Sequence, residues 1–449
     1  MKGTRRKVEK LLQDALSPKV MDVLRQAGMQ ADRLGYDAYV VGGFVRDLLL
    51  GIDNLDIDVV VEGDGITFAQ ALAKDKKATV TVHDRFGTAV MRFPDGFKLD
   101  VATARTEYYN YPAALPKVTA SSIEKDLARR DFTINTLAVR LNPGGFGRLV
   151  DLYGGQGDLK KRMIRVLHRL SVVEDPTRVF RAIRFELRLG FHLSEETLDL
   201  IEGAVKMNLF QRLSAERLLN ELRRLFAEPA ARHAVRRLAE LDLLQFIHPR
   251  LVWSSRLDQR LLEIEEALDW YGRSGLDRPI NRWLLYVMAL AEVLTARSLR
   301  ELLGRFPFTE AERCAIVELR ATASAISRQL SRRLRRPSEV ARLLKSPSDE
   351  TLIFLLARNK TAVAKRQIMA YLTIYRAVRP LLTGNDLHAL HIQPGPLYGT
   401  ILTRLREARL DGEVASEAEE RDLVKRMVKE HRAVKEESAY RFQSCRGDR

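Results

Sequence analysis

The sequence predicts an α+β protein: a small N-terminal region that mixes strands and helices, followed by a long all-helical remainder. Three observations carry this expectation. Between Tyr36 and about residue 164, short β-rich runs ("AYVVGG", "LDIDVVVE", "TVTVHD", "TAVMRF", "KLDVATA") are separated by Gly, Pro and Asp. After "LDLLQFIHP" no convincing strand pattern remains, and residues 166 to about 440 read as successive amphipathic helices. In the first 35 residues Leu11, Leu12, Ala15, Leu16, Val20, Val23 and Leu24 recur at helical spacing.

Taken in order, residues 1–35 form a helical lead. Two helical stretches, at 45–50 and 65–73, interrupt the strand-rich region. Farther on, "LSAERLLNELRRLF" shows how the helices are written: Ser214 is a good N-cap, and Leu218, Leu222 and Leu225 mark one face. Breaks fall near Pro229, Pro249, residues 272–279, Pro337, Pro347 and Gly384, with no fixed-period repeat. From about Arg432 the chain is densely charged and is expected to fray.

With 449 residues, the chain is long enough for several domains. Hydrophobic residues make up 46% and charged residues 30%, the balance of an ordinary folded protein. The net charge of +16 points to a polyanionic partner, nucleic acid first. Cys314 and Cys445 are the only cysteines, which excludes a disulfide framework or a cysteine zinc cluster and fits a reducing cytoplasm. No apolar run reaches about 18 residues, so no membrane span is expected. The start, "MKGTRRKVEK", is basic but leads into no apolar core, unlike a secretory signal.

The most informative stretch is "VVGGFVRDLLLGIDNLDIDVVVEG". Asp56 and Asp58 stand two apart in a strand pattern, so they share a face. Two carboxylates side by side repel unless a cation lies between them, and hard oxygen donors suit Mg²⁺. A bare D-x-D is more often a solvated strand end. Here Gly42 and Gly43 precede it and leave backbone amides accessible to phosphates, while Arg46 opens a helix where a guanidinium can hold phosphate oxygens. Asp100, between Leu99 and Val101 on another expected strand, is a third candidate, and three such carboxylates could hold two ions. "EDPTR" at 174–178, read by itself, is a helix start with acids at the positive dipole end. His83–Asp84 matches the "HD" of metal phosphohydrolases, but the other histidines form no matching set.

The run "VGGFVRDLLLG…DID" resembles the head motif of class II polymerase-β-like nucleotidyltransferases, the branch holding bacterial CCA-adding enzymes and poly(A) polymerases. Similar segments follow in order: "RRDFTIN" (129–135), "DLYGGQGDL" (151–159), "EDPTRVFRAIRF" (174–185) and "LTGNDLHALHIQPGPLYGTIL" (382–402). The likeness covers residues 36 to about 412. It implies a lead at 1–35, a nucleotidyltransferase head at 36–165, a neck at 166–235, a body at 236–375 and a tRNA-binding tail at 376–449.

The resemblance also implies the chemistry: addition of CMP, AMP or both to a tRNA 3′ end, with pyrophosphate release. Asp56, Asp58 and Asp100 would be catalytic and hold Mg²⁺. Gly42, Gly43, Arg46 and Arg130 would hold the triphosphate of ATP or CTP. Asp175 and Arg178, one helical turn apart, would read the base. A carboxylate accepts from the exocyclic amine of adenine or cytosine and a guanidinium donates to the neighbouring acceptor, while uracil would set O4 against the carboxylate. Arg181 and Arg184 fall at nucleotide-contacting positions. Asp131 and Asn135 are sugar contacts or local buttresses, and "ERLLNEL" (216–222) reads as a structural helix.

Where full CCA-adding relatives carry a D-x-R-R-P-like loop, this chain has "YNYPAALPKV". That is closer to a partial enzyme adding only A or only CC. A poly(A) polymerase is the alternative within the family; a small-molecule nucleotidyltransferase would not need the long basic helical extension. "SRRLRRPSEVARLLK" (331–345), Lys360, Lys365 and Arg366 suit RNA phosphates, and Tyr108, Tyr109 and Tyr111 could stack on a base or pack.

Overall fold

The computed structural model describes residues 2–108, 117–332 and 335–444. Tyr109, Tyr111, most of "YNYPAALPKV" and Cys445 lie outside them. Among the described residues the chain divides into two compact units, Met1–Val252 with Arg305–Pro307, and Trp253–Gly304 with Phe308–Arg449. The expected divisions at 165 and 235 both fall inside the first unit.

The first unit opens with α1 (Lys2–Ala15) and α2 (Pro18–Leu34). Ser17 caps α2, its hydroxyl accepting from the Val20 N–H, and Gly35 ends it in a left-handed conformation. The strand-rich region follows: β1 (Asp37–Val41), α3 (Gly43–Leu50), β2 (Ile57–Glu62), α4 (Gly65–Lys76), β3 (Thr79–His83), β4 (Thr88–Arg92), β5 (Lys98–Thr103), β6 (Arg105–Tyr108), β7 (Lys117–Ala120), α5 (Ile123–Ala128), β8 (Leu137–Arg140) and β9 (Leu149–Asp151). Seven strands make one mixed sheet in the order β3-β4-β5-β2-β1-β8-β9, in which only β2 and β5 run parallel. The pair β6–β7 forms a separate antiparallel hairpin.

The sheet's two faces are unlike. Val40, Val59, Val61, Leu99 and Val101 alternate onto one face and are fully buried; α2 packs on β1, and α4 on β2, β4 and β5. On the other face Tyr39, Val41, Val60 and Ala138 cluster with Ile123 and Leu127 of α5. That cover stops short of the ends of β2 and β5 where Asp58 and Asp100 stand, so the carboxylates stay accessible.

After α6 (Gly155–Lys160) and β10 (Met163–Ile164), the helices α7 (Ser171–Glu174), α8 (Thr177–Leu189), α9 (Glu195–Lys206) and α10 (Ala215–Ala227) continue the unit. Ser214 caps α10 as its sequence predicts. A strand of two residues, β11 (His192–Leu193), pairs in parallel with β10 inside the stretch expected to be wholly helical.

The second unit is all-helical among the described residues. Its last segment has its own core of Leu382, Leu387, Ile401, Leu405 and Val424. There the fully buried Glu420 accepts from the Leu381 and Leu382 N–H groups and from Arg409. The final helix runs Glu417–Ser444, through the stretch expected to fray; its Glu, Lys, Arg and Ala content favours helix over coil. In the basic stretch at 331–345, Arg335 pairs with Glu339 and Arg342 with Glu407, and Lys360 pairs with Glu263. No helix of the described residues is long and apolar enough to cross a membrane.

Gly28 shows how tightly the lead is packed. A Cβ there would lie 1.9 Å from the Leu141 carbonyl oxygen. Gly28→Ala is therefore expected to lower stability by about 1–3 kcal/mol or more, read as a lower denaturant midpoint at unchanged m-value.

Candidate active site

The register of β2 and β5 sets Asp58 directly beside Asp100. Neighbouring strands lie about 4.8 Å apart, so the two carboxylates share a face at close range. Asp56 stands one residue ahead of β2, held by its N–H to Asn54 Oδ1 at 2.8 Å. Asn54 Nδ2 in turn donates to Asp47 Oδ2 at 2.8 Å. The loop carrying Asp56 is thereby tied to α3.

Asp58 is open to the cavity, yet desolvation by the protein crowded around it, and then the charges of Asp56 and Asp100, push its carboxyl up to about 6, against the opposing pull of Arg130 and Lys98. One oxygen of Asp100 accepts from Lys98 Nζ at 2.6 Å; the other, Oδ1, is buried with no hydrogen-bond partner. Among the described residues no three His, Cys, Asp or Glu side chains form a preassembled metal cage. The donors nevertheless suit Mg²⁺. They are hard oxygens, one of them unsatisfied, beside a carboxylate that like charges disfavour. This ion binds through one or two carboxylates plus water and substrate phosphates, so an open set fits it.

The same cavity, about 780 Å³, is lined by Gly42, Gly43, Arg46, Asp56, Asp58, Asp100, Arg130, Asp175, Arg178, Arg181 and Arg184, so every sequence-predicted site residue is brought together. Their surroundings differ. Arg46 is buried, and each of its nitrogens has a protein acceptor: Nε and Nη2 on Asp47, Nη1 on Asn135 at 2.8 Å. A guanidinium out of water needs such pairing, so Arg46 stands in the wall as part of the framework. Gly42 has φ 70°, and a Cβ on it would come within 2.6 Å of Arg130 Nη1. The missing side chain is what lets Arg130 lie across the turn.

Arg130 donates from Nη2 to Asp126 Oδ2 at 2.9 Å and leaves Nε buried and unpartnered. Asp126 is fully buried and also accepts from Arg129. Burial alone would raise its carboxyl, but Arg130 and Arg129 outweigh burial and hold it below the usual range. Arg129 reaches on to Glu107 of the β6–β7 hairpin at 2.8 Å.

Helix α8 supplies the remaining arginines. Arg178 is 4% exposed; its Nη2 donates to the Arg129 carbonyl at 2.8 Å, while Nη1 is buried without a partner. Arg181 pairs with Asp131 Oδ2 at 2.6 Å, and Asp131 Oδ1 accepts from Asn135. Asp131 and Asn135 therefore act as buttresses of the arginines. Arg184 has a buried, unpartnered Nε and stacks 5.6 Å from the Phe185 centroid; Arg46 and Arg181 lie 4.9 and 5.9 Å from the same ring.

Sequence reasoning missed Asp47, Asn54, Lys98 and Arg217. Each had a signal: the Asp adjoining Arg46, the N-x-D before the strand, the K-x-D that shares a strand face. Arg217 had the weakest, since a helix of E-R-x-x-x-E type is ordinary; it donates to Asp175 Oδ1 at 2.8 Å.

The raised Asp58 carboxyl has a stability consequence. Its folded value lies above the usual unfolded value of about 3.9, so the fold favours the neutral form, and the penalty grows as pH rises from about 4 through about 6. In the presence of a chelator, Asp58→Asn is expected to melt above wild type at pH 8, with the gap closing towards pH 4. Added Mg²⁺ should raise the wild-type melting temperature and leave the variant unmoved.

Two family models match the chain: "Poly A polymerase head domain" over residues 38–165, and "Probable RNA and SrmB- binding site of polymerase A" over residues 190–253. An A-adding tRNA nucleotidyltransferase of Geobacter sulfurreducens is 43% identical over 94% of this chain and 49% of its own length. An A-adding tRNA nucleotidyltransferase of Aquifex aeolicus is 34% identical over 76% of this chain and 41% of its own. The chain thus spans about half the length of these curated relatives. The solved structure of the Thermotoga maritima CCA-adding enzyme complexed with tRNA is 34% identical, with a TM-score of 0.73 over 94% of this chain and 98% of that one. With two motif-bearing segments and nearly the whole of a solved chain matched, this protein belongs to the family of tRNA nucleotidyltransferases and poly(A) polymerases.

Proposed function

We propose that this chain is a template-independent nucleotidyltransferase that adds AMP to a tRNA 3′ end already carrying CC, in the cytoplasm. The single observation that carries the reading is one cavity holding both a carboxylate group for phosphoryl chemistry and a carboxylate–guanidinium pair for a base. The missing D-x-R-R-P loop supports a partial enzyme, and the names of the Geobacter and Aquifex relatives support A over CC.

The tRNA 3′ hydroxyl attacks the α-phosphate of ATP and pyrophosphate leaves. Such transfer needs positioning and charge neutralisation more than covalent catalysis. Asp56, Asp58 and Asp100 would hold Mg²⁺, which when bound neutralises triphosphate charge and favours the attacking alkoxide. Arg184 and the free Nε of Arg130 offer donors to phosphate oxygens. The unpartnered Nη1 of Arg178 can donate to adenine N1, and Asp175 can accept from the adenine amine. The helical second unit, with its Lys and Arg, would meet tRNA through phosphates and shape.

The test offers purified protein tRNA transcripts ending before CCA, after C and after CC, with ATP or CTP. One AMP on the CC-ending transcript is expected, and nothing with CTP. Cytidine addition or a long adenylate tail would instead indicate a CC-adding or CCA-adding enzyme, or a poly(A) polymerase. Asp58→Ala should cut incorporation by at least ~10³-fold, about 4 kcal/mol of barrier, with folding preserved by circular dichroism.

A further inference from the structure

Asp175 sits in the short extended link between α7 and α8, with φ −136° and ψ 92°. Its two oxygens have different environments. Oδ1 accepts three hydrogen bonds: from the Thr177 N–H at 3.0 Å, the Thr177 hydroxyl at 2.6 Å and Arg217 Nη2 at 2.8 Å. Oδ2 accepts none among the described residues, and the side chain, 19% exposed, lines the cavity. Thr177 is itself buried, the first residue of α8, and Pro176 fixes the turn before it.

We infer that Thr177 and Arg217 are positioning residues that set base selectivity by fixing the rotation of the Asp175 carboxylate. The inference rests on the base-reading role proposed above and adds residues to it. A carboxylate on a single Cβ–Cγ bond turns readily. One free to turn could swing aside from uracil O4 and admit water, relieving the acceptor–acceptor conflict that rejects the wrong base. With Oδ1 held from two elements, α8 and α10, Oδ2 stays where an exocyclic amine must donate, and a base without that amine meets an unrelieved acceptor. Rigid placement turns a modest attraction for adenine into discrimination against uracil.

Arg178 is built on the same plan: Nη2 is tied to the Arg129 carbonyl and Nη1 is left unpartnered. Each member of the pair is thus fastened through one atom and offers another. Thr177 matters because its hydroxyl is the shortest of the three contacts to Asp175.

The test measures kcat/KM for AMP and for UMP incorporation on CC-ending tRNA with wild type, Thr177→Val, Thr177→Ser and Arg217→Gln. Thr177→Val is expected to lower the ATP-over-UTP ratio roughly tenfold, about 1.4 kcal/mol of discrimination. Thr177→Ser should restore it, and Thr177→Val should have no further effect on the ratio in an Asp175→Ala background. An equal loss with both nucleotides, or an unchanged ratio, overturns the inference. Should Thr177→Val fail to fold, Arg217→Gln carries the same expectation. A wild type that incorporates AMP beside an unchanged variant ratio overturns the positioning role alone; a wild type that incorporates no nucleotide overturns the transfer reading as well.

Discussion

Like charge held at a fixed spacing is the constraint on which the rest of the site depends. Parallel pairing of β2 with β5 sets Asp58 against Asp100, and the backbone offers neither side chain a way out. Both strands bury valine and leucine on their opposite face, so a slip of one residue would turn Asp58 and Asp100 into the core. The repulsion is therefore built in by the hydrophobic pattern. In the protein itself the charge is met by Lys98 on one oxygen and by the field of Arg130, and one Asp100 oxygen is left without any partner.

The positive side of the cavity answers a matching problem. Several guanidinium groups line one wall, and they avoid mutual repulsion by dividing their partners. Asp126 serves Arg129 and Arg130, Asp131 serves Arg181, Asp47 serves Arg46, and the ring of Phe185 lies among three guanidinium groups. Buried carboxylates are costly unless paired, so these acids and arginines hold one another. What is left over, the unpartnered nitrogens of Arg130, Arg178 and Arg184, is the capacity available to a bound anion or base.

Much of this was legible in the sequence. The strand alternation around "LDIDVVVE" gave the shared face of Asp56 and Asp58, and period-3.6 patterns gave the helices up to the charged stretch from Arg432, which was expected to fray and is helical to Ser444. The membership of the cavity followed from the motifs, since every expected residue lines it. Division of labour was less legible. Nothing in "GGFVRD" tells that Arg46 turns inward, because that depends on Asn135, 89 residues away. Arg217 could not be tied to Asp175 for the same reason: the contact joins two helices 42 residues apart, and no local pattern encodes it. Local periodicity fixes which face a side chain takes, and only tertiary packing decides which neighbour it finds there.

The Glu107–Arg129 contact has one more consequence. Glu107 belongs to the hairpin that leads into residues 109–116, and Arg129 shares Asp126 with Arg130. Any displacement of that hairpin is thus transmitted through charge to the arginine lying over Gly42. A substitution at Glu107 would accordingly be felt at Arg130 through the carboxylate that both arginines share.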